Sequence, residues 1–300
     1  MNITDNFELI SELTAGENDH QTAKLYENDF KIDYETEFEL SYNDIIAVNL
    51  GLNIISEFFD VNAIALTKNS NILGAALGKS ISDACQKAFD CNPVDIVNSV
   101  VTSSKTIDLD TAKMFTEGNL VIAPDFDKTA IETMKKNSVR FVKLKTKLSD
   151  IKNWRREECK NTLFGLLVQD YNTAELNKDT FKVETKTKPT TELIEDAVFA
   201  WKVAKYAKSS GIVLSKDFKT TAISQGVSGS AIEYALDYAC DASKESVLAS
   251  DLPLTVYDLN VAAQGRVSLI IVPSATKEFI KRADEVGMIV ITTGFSNLLS

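Results

Sequence analysis

A single histidine, His20, stands in a chain of 300 residues. The four cysteines, Cys85, Cys91, Cys159 and Cys240, show no CxxC spacing. These two scarcities argue against a Cys/His zinc centre. The thiols are expected to be reduced, buried and structural, as in a cytosolic protein. No apolar run reaches the roughly 18 residues that a membrane-spanning helix needs. The opening stretch MNITDNFELISEL lacks the basic start and apolar core of a secretion signal. Positive charge is also short. Lys and Arg number 32 against 43 Asp and Glu, for a formal charge of −11, which argues against a surface built to neutralise a nucleic-acid backbone. The expectations are a cytoplasmic protein, no nucleic acid, no membrane and no metal. Any small anionic ligand would need a local basic pocket.

What is present is ordinary globular material, 44% hydrophobic and 25% charged. Apolar residues recur with helical rhythm over 44–59, 80–89, 108–115, 192–207, 229–240 and 277–286. Short apolar runs at 62–66, 96–101, 120–123, 139–144, 212–214, 247–249, 269–272 and 288–292 read as strands. Asp127 is positioned to cap a helix ending near Lys135, Lys136 and Asn137, where cations suit the dipole. Strands alternating with helices predict a mainly parallel sheet covered on both faces. Two such series, separated by the Lys/Thr-rich stretch 182–188, predict two units, 1–175 and 176–300.

Six segments carry a more specific signal. They are Gly16-Glu17-Asn18-Asp19-His20-Gln21, Ser41-Tyr42-Asn43-Asp44-Ile45, and Val121-Ile122-Ala123-Pro124-Asp125-Phe126. Then come Gly165-Leu166-Leu167-Val168-Gln169-Asp170, the block from Phe199-Ala200-Trp201-Lys202 through Lys208-Ser209-Ser210-Gly211 to Asp217, and Leu248-Ala249-Ser250-Asp251. In this order and spacing, from roughly residue 12 to 294, the chain resembles the AICAR transformylase family of purine biosynthesis. The resemblance leaves no counterpart of the IMP cyclohydrolase domain that usually accompanies it. It implies two cytidine-deaminase-like three-layer α/β/α units and a homodimer. It also implies transfer of a formyl group from 10-formyltetrahydrofolate, a co-substrate, to the amine of AICAR, with no metal.

The resemblance assigns roles residue by residue. The family's catalytic Lys-His pair falls on Lys68 and Asn69; an amide orients a proton but does not accept one at neutral pH. His20 falls on a family position that contacts the AICAR carboxamide, and an imidazole titrates in the range a base requires. Asp251 falls on the retained Ala-Ser-Asp. These four are the catalytic candidates. Gly16, Asn18, Ser41, Tyr42, Asn71, Gly74, Asp125, Ser210 and Gln225 fall on or beside matched segments and are the candidate substrate contacts. The anion clamps differ. Thr14-Ala15 replaces Arg-Tyr, Ser228 replaces an arginine, Leu252-Pro253-Leu254-Thr255 replaces Phe-Phe-Pro-Phe, and Asn297-Leu298-Leu299-Ser300 replaces Phe-Arg-His. Serine and threonine cannot supply the bidentate charge of a guanidinium. Two readings stay open: a transformylase with a rearranged site, and a non-catalytic relative that serves as a binding or interaction module.

Overall fold

The computed structural model describes residues 7–154, 156–176, 180–226 and 228–299. It is an α/β chain that divides into two compact units, Met1–Lys152 and Asn153–Ser300. The break precedes the 175/176 division read from the sequence, because a hairpin at 157–170 groups with the second unit.

The first unit opens with a hairpin, β1 (Leu9–Leu13) and β2 (Ala23–Tyr26). There follow β3 (Tyr34–Glu35), α1 (Tyr42–Ser56), β4 (Ala63–Lys68), β5 (Asn71–Leu77) and α2 (Ile81–Cys91). Then come β6 (Val100–Ser103), α3 (Leu109–Ala112), β7 (Leu120–Ala123), α4 (Lys128–Lys136), β8 (Arg140–Leu144) and α5 (Leu148–Asn153). The sheet order is β5-β4-β6-β7-β8-β3. Only β6, β7 and β8 run parallel, while β4 is antiparallel to both of its neighbours. Alternate residues of each strand face opposite layers. Ile64, Leu66, Val101, Val121 and Ala123 pack with α2, α3 and α4 in one core. On the other face α1 lies so close that a Cβ at Gly51 would meet Thr102 Oγ1 at 2.2 Å, and Thr67 Oγ1 donates to Ala47 O at 2.8 Å.

The second unit begins with β9 (Glu157–Thr162) and β10 (Gly165–Asp170), followed by β11 (Lys182–Val183), α6 (Thr191–Ala204), β12 (Gly211–Lys216), β13 (Lys219–Gln225) and α7 (Ser228–Ala239). A 3-10 turn at Cys240–Ser243 leads to β14 (Val247–Ser250), α8 (Val256–Gln264), β15 (Leu269–Val272), α9 (Lys277–Val286) and β16 (Ile289–Thr292). Its sheet order is β11-β16-β15-β14-β12-β13, parallel across β14, β15 and β16. Ile212, Leu214, Leu248, Ile270 and Val290 form a core with α7, α8 and α9. On the opposite face of β12, Ser215 Oγ donates to Asp196 Oδ1 of α6 at 2.8 Å.

Each sheet is therefore mixed rather than mainly parallel, because each carries an antiparallel hairpin not expected from the sequence. β6 begins at Val100, not Ile96, since 93–98 forms turns. Asp127 occupies the N-cap of α4, but its side chain makes no capping bond. The Lys/Thr stretch is no simple linker: β11 pairs with β16, and Thr185 is buried. Cys85 and Cys91 are buried, whereas Cys159 and Cys240 are exposed, so half of the thiols depart from expectation. Burial pushes the Cys85 thiol up to about 12, which keeps it protonated and inert. No helix among the described residues is long and apolar enough to cross a membrane.

Asp196 is the main buried acid of the second unit's α6 face. Desolvation pushes its carboxyl up to about 6, against the lowering effect of Ser215 and the backbone of Phe218 and Asp217. The folded value lies above the unfolded one of 3.8. Its stabilisation is thus complete below pH 3.8 and is lost as pH rises through about 6. Lowering the pH from 7 to 5 should stabilise the wild type by about 1 kcal/mol more than Asp196→Asn. Urea midpoints at the two pH values check this, and equal gains in both proteins would refute it.

Candidate functional site

The candidate residues of the first unit fall into two places. Most gather at the edge where the parallel strands β6, β7 and β8 begin. Thr67 pairs with Val100, so Lys68 and Asn69 leave the sheet beside the start of β6. Lys68 is half-buried, and its Nζ reaches Val97 O at 3.5 Å. Asn69 sits in the β4–β5 turn at φ 53°, a left-handed conformation that asparagine tolerates better than most residues. Asn71 is exposed at the start of β5. The N-terminus of α1 lies at the same edge, because Arg140, the first residue of β8, grips Asp44 in the first turn of α1. Its two Nη atoms donate to Asp44 Oδ2 and Oδ1 at 2.8 and 2.9 Å.

This arrangement accounts for Ser41 and Tyr42. Ser41 is the N-cap of α1 in a reciprocal capping box with Asp44. Its hydroxyl accepts from the Asp44 N–H at 3.1 Å and donates to Asp44 Oδ2 at 2.8 Å. Tyr42 follows, half-buried. Burial tends to raise the Asp44 carboxyl, but Arg140 and Ser41 outweigh it and hold it below its ordinary value. Arg140 also lies over the Phe38 ring at 5.3 Å. It is the one guanidinium bound at this edge among the described residues, and its fork is already engaged by Asp44.

The β1–β2 loop reaches the same place. Asn43 Nδ2 donates to Glu17 O at 3.3 Å. Within the loop, the Gly16 N–H donates to Gln21 O at 2.7 Å, and a Cβ at Gly16 would press on Gln21 Cβ at 2.9 Å. Asn18 donates from its backbone and its side chain to Gln21 Oε1 at 3.0 and 2.8 Å. The loop is built by Gly16, Asn18 and Gln21, and it leaves His20 exposed.

Two candidates of this unit stand apart. Asp125 follows β7 at the opposite, carboxyl edge and is exposed, paired with Lys143 at 2.6 Å. The Lys143 ammonium holds its carboxyl below the ordinary value. Gly74 lies inside the sheet, paired with Leu66, where a Cβ would meet Cys91 Cβ at 2.7 Å. Its role is close packing of α2 on β5 rather than ligand contact.

In the second unit, Asp251, Ser210 and Gln225 meet at the carboxyl edge of β14. Ile212 pairs with Ser250, and Gly211 pairs with Gln225. Gln225 is exposed and Ser210 half-exposed. Asp251 is 0% exposed. It accepts a short hydrogen bond from Ser209 Oγ and another from the Gly211 N–H at 3.0 Å. Burial raises its carboxyl despite these donors. The segment after β16 closes over this place: the Leu299 N–H donates to Ser209 Oγ at 3.0 Å, and the Ser209 N–H donates to Leu299 O at 2.8 Å. Asn172 Nδ2 donates to Asn297 Oδ1 at 2.9 Å, and Phe295 stacks edge-on against Trp201. Ser209 is absent from the candidates read from the sequence, because its reach to Asp251 across 42 positions leaves no local signal. The Ser228 side chain and Ser300 lie outside the described residues. No group of three His, Cys, Asp or Glu side chains among the described residues could hold a metal ion.

Residues 1–233 match the family described as the AICARFT/IMPCHase bienzyme. The chain belongs to this family. It is 35% identical over 306 residues to the bifunctional purine biosynthesis protein PurH of Thermoanaerobacter sp. (strain X514), covering 96% of this chain and 58% of the relative. PurH of Acetivibrio thermocellus is likewise 35% identical over 307 residues, covering 96% of this chain and 59% of the relative. The chain thus spans somewhat more than half the length of these relatives. Within the AICARFT/IMPCHase family, it is an AICAR-transformylase-type domain.

Proposed function

We propose that this chain binds AICAR and transfers to it the formyl group of 10-formyltetrahydrofolate, at a site built around Lys68. The observation that carries this reading is the gathering, at one edge of the first unit, of Lys68, the Gly16–Gln21 loop bearing His20, and the N-terminus of α1. The AICAR amine attacks the formyl carbon, the carbonyl oxygen gains charge, and the bond to the folate nitrogen breaks as that nitrogen takes a proton. A half-buried ammonium such as Lys68 stabilises the developing oxyanion. His20, the sole imidazole, is the available acceptor for the amine proton. In this reading the two units are cytidine-deaminase-like layers, and the setting is the cytoplasm.

A homodimer belongs to the same proposal. The β9–β10 hairpin is a separate two-stranded sheet, with β10 exposed throughout and β9 exposed at all but Glu158 and Lys160, which are half-buried. Leu163 and Phe164 at its tip are exposed at 104% and 102%. A bare two-stranded hairpin is marginal in water and calls for a cover, and a second copy of the chain would provide it. Light scattering that returned a monomer across the working concentration range would sink this part.

A second reading, binding without turnover, is favoured by one observation: Asn69 stands where the family has its proton-handling histidine. The two readings separate in a paired experiment. Calorimetric titration with AICAR reports binding, and a coupled assay for tetrahydrofolate release reports transfer. Binding with release of tetrahydrofolate supports the transferase. Binding alone supports the second reading, and absence of both removes the proposal.

A further inference from the structure

The hairpin that carries His20 is held to the rest of the first unit by very little. β1 and β2 form a sheet of their own, and no residue from 9 to 26 is buried. Among the described residues, one hydrogen bond ties this stretch to the rest of the unit, from Asn43 Nδ2 to Glu17 O at 3.3 Å. The other links are internal: Gly16 and Asn18 to Gln21, and Lys24 to Glu12 at 2.9 Å. They shape the loop without fixing where it stands. A two-stranded hairpin is marginal in water, so the place of His20 depends on where Asn43 is held.

Asn43 is held through Arg140. It lies in the first turn of α1, next to Asp44. Arg140, at the start of β8, takes both Asp44 oxygens at 2.8 and 2.9 Å. It also lies over the ring of Phe38, just before the helix, at 5.3 Å. One guanidinium thus grips the chain on both sides of the Ser41 cap, and a bidentate fork fixes direction as well as distance. Burial opposes the charge on Asp44, but Arg140 and Ser41 hold its carboxyl below the ordinary value. The pair therefore persists over the range in which an imidazole titrates.

We propose that Arg140 is a positioning residue for His20: through Asp44 and Asn43 it holds the β1–β2 loop at the edge that carries Lys68. Arg140 itself touches no reacting group. Its part in turnover rests on the transferase reading above, whereas its part in placing His20 rests on the hydrogen bonds alone. Placement matters because a shift of about 1 Å in a reacting group can cost about 10²-fold in rate.

A single histidine makes the test direct, since the full chain has one imidazole C2–H proton resonance to follow. Arg140→Gln should narrow that line and move it toward its position in the urea-unfolded chain, as the loop is released. Asn43→Ala, which leaves the Arg140–Asp44 pair in place, should do the same. The double variant should add nothing further, because both changes cut one chain of contacts. Arg140→Lys keeps the charge but loses the fork and should fall between. Lys113→Gln, which breaks an exposed pair with Asp110 elsewhere in the unit, should leave the line unmoved. In the formyl-transfer assay, kcat should fall about 10- to 100-fold in Arg140→Gln and in Asn43→Ala. Thermal melts establish that each variant is folded; if Arg140→Gln is not, Asn43→Ala and Arg140→Lys decide. An unmoved resonance in the folded variants would overturn the proposal. So would additive shifts in the double variant, or a moved resonance with kcat unchanged. A wild type that transfers no formyl group would instead remove the transferase reading, and the resonance would still decide whether Arg140 places His20.

Discussion

Replacing Asn69 by histidine is expected to raise the rate of formyl transfer to AICAR at saturating substrates by about 10²- to 10⁴-fold. This is the gain a positioned general base usually supplies, and it is expected because the wild type's acceptor, His20, sits exposed in the β1–β2 loop and not in the turn that follows Lys68. The backbone permits the change. Asn69 sits at φ 53° in an exposed turn, and histidine is among the few residues enriched there. The turn therefore does not need to refold to accept an imidazole beside Lys68. The gain should follow an ionisation near the histidine range when the rate is measured against pH. A variant that folds, binds AICAR and shows no gain would mean that His20 already serves fully as the base in the wild type.

The second large effect concerns stability. Asp251→Ala should destabilise the protein by about 2 kcal/mol, because it strands two donors, the buried Gly211 N–H and the half-buried Ser209 Oγ. Asp251→Asn should stay within about 1 kcal/mol of wild type. It keeps an acceptor of the same shape and removes a charge that burial already disfavours. Urea denaturation of the three proteins decides the matter. Comparable losses in both variants would mean that the negative charge itself is required. The fully buried position gives Asp251 a scaffolding part in this conformation: it fixes the 209–211 turn rather than meeting a ligand.

The contrast between these two residues shows how far the chain can be read before it is folded. Strands buried on both faces announce themselves as apolar runs, which is why 120–123 and 269–272 are placed to the residue. Their antiparallel partners leave a faint trace for a physical reason. β5 carries Gly74-Ala75-Ala76 and β13 carries Thr220-Thr221-Ala222, small or polar residues that suit a crowded sheet but leave a weak apolar signature. Their turns hold a readable clue, since Asn69, Asp217 and Phe218 adopt positive φ, and asparagine and aspartate are common at such bends. The helix α8, not among the helices expected from the sequence, also has a readable start, since Thr255 and Asp258 form a capping box whose spacing is visible in the sequence. For the site, residue identity picks out Lys68, Asn69, Asn71 and the Gly16–Gln21 loop, which the fold brings to one edge of the first unit. It could not separate Ser41, which serves a helix cap, or Asp251, which serves a turn, from groups free to touch a ligand. For Asp251 the distinction depends on a partner far away in the chain, Ser209 across 42 positions, whereas the partner of Ser41 is Asp44, three residues on.

Ser209 makes one further point about direction. A hydroxyl has a single proton, and here it is committed to Asp251, so only a lone pair remains for the Leu299 amide. The polarity of this relay is thereby set, and threonine is the one other neutral side chain that could reproduce it. Alanine at 209 would open two joints in one stroke, one to the residue that follows β14 and one to the segment after β16.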